Sequence, residues 1–117
     1  MGIALCQGKE GEGEAMIIVT GEARFGDGEI ERLRQVLAAN IAATRAEDGC
    51  LAYSYAVDLG DPNLLHISEQ WRDEAAVEAH MTAPHMGPLM AALGSAKIEA
   101  LSVKAYEASG ERVLLGS

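Results

Sequence analysis

The sequence predicts a small α+β domain whose elements run β-α-β-β-α-β. Three observations predict it. Short β-branched or alternating apolar runs cover residues 16–25, 50–58, 64–72 and about 97–107, apolar residues recur at helical spacing in the two long stretches between them, and glycine, aspartate or proline marks the junctions. The chain has 117 residues, 49% hydrophobic and 23% charged, a composition that supports one folded core. Its 9 basic and 18 acidic side chains give a net charge of -9. A surface that negative repels phosphate backbones and anionic lipid heads, so nucleic acid and membranes are poor partners. No apolar run approaches the roughly 18 residues that span a bilayer. Cys6 and Cys50 lack CxxC or Cys/His spacing, which disfavours a disulfide framework and a structural zinc site. A cytoplasmic location is expected.

Residues 1–14 hold four glycines and three glutamates around a single short apolar patch, Ile3-Ala4-Leu5-Cys6. The basic and longer apolar regions of a signal peptide are absent from it. A flexible extension is expected here, a domain over residues 15–108, and a C-terminal tail over 109–117. Met16 to Phe25 is β-branched in its first half and reads as a strand. Gly26-Asp27-Gly28 breaks it, and Asp27 or Gly28 is placed to cap a helix with Glu29 and Glu31 in its first turn. In that helix Ile30, Leu33, Val36, Leu37, Ile41 and Thr44 form an apolar stripe, while Arg32, Arg34, Gln35 and Asn40 fall mostly on the other side. Asp48-Gly49 is expected to end it.

The second strand, Cys50 to Asp58, puts Leu51, Tyr53, Tyr55 and Val57 on one face. After the turn Gly60-Asp61-Pro62-Asn63, a third strand from Leu64 to Arg72 aligns Leu65, Ile67, Glu69 and Trp71. Asp73 caps a helix to about Thr82, with Ala76, Val77, His80 and Met81 along one side. A short helical piece, His85 to Leu93, follows Pro84, and the last strand runs from about Lys97 to Glu107. This order is the ferredoxin-like split βαβ arrangement with a four-stranded antiparallel sheet.

One sheet face is covered by helices, and Ile17, Val19, Leu51, Tyr53, Tyr55, Leu65, Ile67, Leu101 and Val103 suit it. The other carries Ile18, Thr20, Ala52, Ser54, Ala56, His66, Ser68, Ala100 and Ser102, small residues almost without charge at mid-strand. A solvated sheet face normally displays lysine and glutamate. A homodimer joined through its sheet faces is therefore expected.

The chemistry-bearing residues cluster around Glu69-Gln70-Trp71, His80 and Pro84-His85-Met86. Glu69 and Trp71 share the helix-facing side of their strand, and His80 packs back over it. Together they wall an expected hollow between sheet and helix, mostly apolar with a few polar anchors, which suits an aromatic small molecule. Each residue also has an ordinary structural role open to it. Trp71, Tyr53 and Tyr55 fill cores, Met81, Met86 and Met90 sit at core-like spacing, and Glu69 pairs with His80, Arg24 or Arg45 to hold the fold. His66 belongs to the opposite face, as an interface residue. No phosphate-binding loop and no nucleophile elbow occur. His80 and His85 lie on different elements, so metal chelation is only weakly indicated.

Three pieces carry a family resemblance: Glu47-Asp48-Gly49-Cys50-Leu51-Ala52-Tyr53, then Glu69-Gln70-Trp71, then Glu78-Ala79-His80 with Pro84-His85-Met86 behind it. In this order and spacing the chain resembles the antibiotic biosynthesis monooxygenase family of the dimeric α+β barrel superfamily, most closely its small quinol monooxygenases, from Met16 to about Ala108. The resemblance implies a homodimer that oxidises a quinol or polycyclic phenol with O2, without metal or flavin. It implies His80 as base, Glu69 orienting it, Trp71 and Tyr53 walling the ring, and His85 and Met86 at the mouth of the site. Haem-degrading relatives carry an asparagine on the first strand and a tryptophan on the second helix. Here the first strand offers Thr20 and Gly21 and the helix offers His80, which disfavours haem. Two alternatives share the fold: an isomerase of a small phosphorylated substrate, and a non-catalytic dimer that binds a small molecule.

Overall fold

The computed structural model describes residues 15–116, and the expected extension at residues 1–14 lies outside them. Strand β1 (Met16–Phe25) leads into helix α1 (Glu29–Arg45), then strands β2 (Cys50–Asp58) and β3 (Asp61–Trp71). Helices α2 (Glu74–Met81) and α3 (Met86–Ser95) follow, and strand β4 (Ile98–Ala108) completes the sheet. The sheet is antiparallel in the order β2-β3-β1-β4. This is the ferredoxin-like α+β fold read from the sequence. Residues 109–116 form neither helix nor strand.

Register decides which side chains face the helices. Ile17 lies opposite Trp71, Val19 opposite Glu69 and Ala23 opposite Leu65 across β1 and β3. Tyr53 lies opposite Glu69 from β2. Partners in an antiparallel pair share a face, so Trp71, Glu69, Tyr53 and Val19 stand together under the helices. The core divides in two along this face. Phe25, Leu33, Leu37, Leu65, Met86 and Leu89 are buried with α1 and α3 at one end. Ile17, Val19, Tyr53, Trp71 and Ala76 are buried at the other, under α2.

Several expected placements are overturned. Cys50 pairs with Trp71 while Ala52 pairs with Gln70, so β2 carries one extra residue there. That bulge turns Leu51 outward, 56% exposed, and brings Cys50 to the helix side. Leu101 and Val103 do lie on the helix-facing side, opposite Ala23 and Gly21, but β4 is an edge strand beyond the helices and leaves both at least half exposed. Met81 and Met90 are exposed and Met86 alone of the three expected core methionines is buried. The open face bears more charge than expected, since Glu22 pairs with His66 and Thr20 with Lys104 at mid-strand. Helix α1 starts at Gly28, whose left-handed φ of 79° only glycine adopts freely, and it ends at Arg45, before Asp48-Gly49. The expected cap at Asp73 forms, its side chain accepting the Ala76 amide at 2.9 Å.

Candidate active site

The end of the core under α2 gathers a buried aromatic and acid–imidazole cluster. Trp71 is wholly buried and His80 nearly so. Their ring centroids are 4.7 Å apart, and Tyr53 meets the His80 ring edge-on at 5.4 Å. Rings at these separations are in direct contact. The space expected for a flat guest between Trp71 and α2 is thus filled by the His80 imidazole itself, and the cluster reaches the surface chiefly at His85, whose side chain is 24% exposed.

His80 is oriented by Glu47, not by Glu69. Its Nδ1 lies 2.7 Å from Glu47 Oε2, and His85 Nε2 reaches the same oxygen at 2.8 Å. His85 Nε2 is also 3.2 Å from the buried Thr44 hydroxyl. An ionised carboxylate only accepts hydrogen bonds, so a neutral His80 facing an ionised Glu47 carries its ring proton on Nδ1 and keeps the Nε2 lone pair. No hydrogen-bond partner occupies His80 Nε2 among the described residues. The three groups come from separate turns: Glu47 from the α1–β2 connection, His80 from the last turn of α2, His85 from the cap of α3. Backbone bonds fix those turns, with the Glu47 amide on Thr44 O at 2.9 Å and the Ala83 amide on His80 O at 3.1 Å.

Glu69 has a different partner. The Trp71 indole Nε1 donates to its Oε1 at 2.8 Å. Burial pushes the Glu69 carboxyl above the usual carboxylate range; the indole hydrogen bond and the His80 ring oppose that shift and the Glu47 charge adds to it. Neither arginine considered for it is used: Arg24 pairs with Asp61, and Arg45 Nε donates to the Tyr53 carbonyl at 2.8 Å. Met86 packs in the α1–α3 core, away from the aromatic cluster.

Sequence reasoning missed two members. Glu47 stands 33 residues from His80 on a loop, where a carboxylate ordinarily reads as solvated. Asn40 was placed on the polar side of α1 but is buried, its Nδ2 donating to the Tyr53 and Tyr55 hydroxyls at 3.1 and 3.0 Å. Those hydroxyls lie 2.6 Å apart, and burial raises both phenols above their ordinary pKa, Tyr53 far above it. The spacing Leu33, Leu37, Asn40, Thr44 carried the signal, since it continues the buried stripe in steps of three and four.

The model of the antibiotic biosynthesis monooxygenase family matches residues 16–92, which contain every strand but β4 and the whole cluster. The chain belongs to the antibiotic biosynthesis monooxygenase family. Solved structures of similar fold include a candidate antibiotic biosynthesis monooxygenase from Deinococcus radiodurans, 32% identical with a TM-score of 0.78 over 86% of this chain and 99% of that one. A Pseudomonas aeruginosa protein is 27% identical with a TM-score of 0.73, over 83% of this chain and 97% of its own. A Mycobacterium tuberculosis protein is 25% identical with a TM-score of 0.75, over 85% and 100%. Among curated proteins, an uncharacterized Synechocystis protein is 29% identical over 69 residues, which are 59% of this chain and 47% of that relative; the match thus spans about half of its length. Within the described residues of this family member, no helix is long and apolar enough to cross a membrane.

Proposed function

We propose that the protein is a monooxygenase that oxidises a quinol or polycyclic phenol with O2 and needs neither metal nor flavin. Membership of the family supports the reaction class, and one local observation carries the residue assignment. A nearly buried imidazole is held through Nδ1 by a carboxylate, leaving Nε2 with a lone pair beside Trp71 and Tyr53.

Triplet O2 reacts slowly with closed-shell organic molecules, whereas an electron-rich phenolate readily gives it one electron. The protein's task is then to remove the hydroxyl proton and to hold the anion in a dry site. His80 Nε2 takes that proton, and Glu47 stabilises the imidazolium that results. The phenolate passes one electron to O2, the resulting radical pair joins at the open ring carbon, and loss of water leaves a quinone. The substrate supplies all the electrons: one oxygen atom ends in the product and the other in water. Trp71 and Tyr53 back the imidazole, and His85 offers a polar contact where the site opens. Glu69 serves the site by fixing the Trp71 indole.

We further propose that the working form is a homodimer joined through the open sheet faces. The half-exposed Tyr106 on β4 supports it, as does a groove of about 440 Å³ on the open face between Thr20, Glu22, His66, Lys104 and Tyr106. The test of the reaction is oxygen uptake by metal-free protein given menadiol. Wild type should consume O2 well above the buffer rate, and H80A should lose about 100-fold or more, the usual contribution of a positioned base. Equal rates for the two proteins would remove His80 from the reaction.

A further inference from the structure

The cluster around Glu47 offers a second chemistry. Glu47 Oε2, His80 Nδ1 and His85 Nε2 lie within 4.8 Å of one another, one carboxylate oxygen between two imidazole nitrogens. We propose that these residues form a binding site for a borderline divalent transition metal such as Zn2+, and that metal and proton compete for His80. Two imidazoles and one carboxylate are the donor set of open zinc sites, which keep a fourth position for water or a ligand.

The donors are pre-placed. Each stands on a backbone-bonded turn, and His80 and Glu47 are largely buried, so little ordering entropy remains to be lost on binding. The Thr44 hydroxyl, 3.2 Å from His85 Nε2, gives up that contact when the nitrogen's lone pair turns to the ion. The present N···O separations of 2.7 and 2.8 Å are those of hydrogen bonds. Ligand atoms about 2.0–2.2 Å from one tetrahedral zinc stand roughly 3.4 Å apart. These two N···O separations therefore open by about 0.6–0.7 Å as the ion replaces two shared protons.

The competition follows from imidazole chemistry. A metal on His80 Nδ1 needs that nitrogen's lone pair, which moves the ring proton to Nε2. Nε2 is the atom assigned to accept the phenol proton, so the metal-bound form lacks the base. Binding itself stands independently of the oxygenase reading; only the inhibition rests on it.

The experiment uses full-length protein freed of metal by chelator and titrated with Zn2+ by calorimetry and with Co2+ by visible absorption. One ion per chain and the strong visible bands of tetrahedral Co2+ are expected. E47Q and H85A should each weaken binding beyond the roughly 10–100-fold that loss of an outer partner costs. H66A, which removes the histidine of the open face beside Asp58 and Glu22, should leave it unchanged. His85 is partly exposed, so H85A keeps the test alive should E47Q fold poorly. Absence of saturable Zn2+ heat and Co2+ bands would overturn the site, as would binding lost in H66A but kept in H85A. In the menadiol assay, uptake should fall in step with Zn2+ occupancy. Full occupancy with undiminished uptake would overturn the competition, whereas metal-free protein without any uptake would sink the oxygenase reading and leave the site standing.

Discussion

Replacing Glu47 by glutamine tests the hub on which the site is built. The carboxylate accepts from His80 at 2.7 Å and His85 at 2.8 Å, with its own side chain only 14% exposed. Hydrogen bonds to a charged group contribute about 1.5–3 kcal/mol each, and neutral ones about 0.5–1.5. A glutamine carbonyl set in the place of Oε2 accepts from both imidazoles, but at neutral strength, so each bond loses about 1–1.5 kcal/mol. The net loss comes to about 2–3 kcal/mol. For a small domain with a urea dependence of ~1.5 kcal/mol/M, the unfolding midpoint should fall by roughly 1.3–2 M at fixed protein concentration. The slope should not change, because the substitution exposes no new surface. A loss below about 0.5 kcal/mol would show that the two imidazoles do not depend on Glu47.

Further outcomes are expected elsewhere. Gly49 holds φ at 87° and an added Cβ would meet the Ala76 Cβ at 2.6 Å, so Gly49→Ala should cost about 2 kcal/mol or more in urea unfolding and reduce oxygen uptake by displacing Glu47; wild-type stability would refute the tight approach. Burial raises the Glu69 carboxyl from 4.5, so below that value it is protonated in both folded and unfolded chains, and its stabilising contribution is lost as pH rises through the folded value. As pH rises from well below 4.5 through the raised folded value, wild type should therefore lose stability relative to Glu69→Gln, and parallel curves would contradict the assigned burial. Asn40→Ala strips both tyrosine hydroxyls of a donor and should cost about 1–3 kcal/mol; a loss under about 0.5 kcal/mol would show that the hydroxyls find other partners.

The order of elements along the chain and the meeting of Trp71 with His80 were legible because alternation and helical spacing report directly on faces, while Tyr53 entered through the family resemblance. Glu69 and Trp71 sit two apart on β3, and that alone puts both under the helices. The same logic failed at Leu51, since a bulge shifts the phase by one residue and leaves no mark in the alternation. It failed in another way at Leu101 and Val103, whose side was read correctly while their cover was not, because the helices do not reach β4. Met81 and Met90 lie on helices of 8 and 10 residues, too short for spacing to separate a buried stripe from its flanks. Glu47 was beyond reach for a different reason. Its partners are set by three turns that meet only in the folded chain, and a loop glutamate followed by Asp48-Gly49 has no local sign of burial.

Isotope labelling tests the proposed reaction most directly. Metal-free protein is given a polycyclic phenol with an open para carbon under 18O2, and the quinone product is weighed by mass spectrometry. A single 18O atom in the quinone, with the other recovered in water and the reaction lost in H80A, is the predicted result. Unlabelled quinone formed together with hydrogen peroxide, or a labelled product made equally well by H80A, would contradict it.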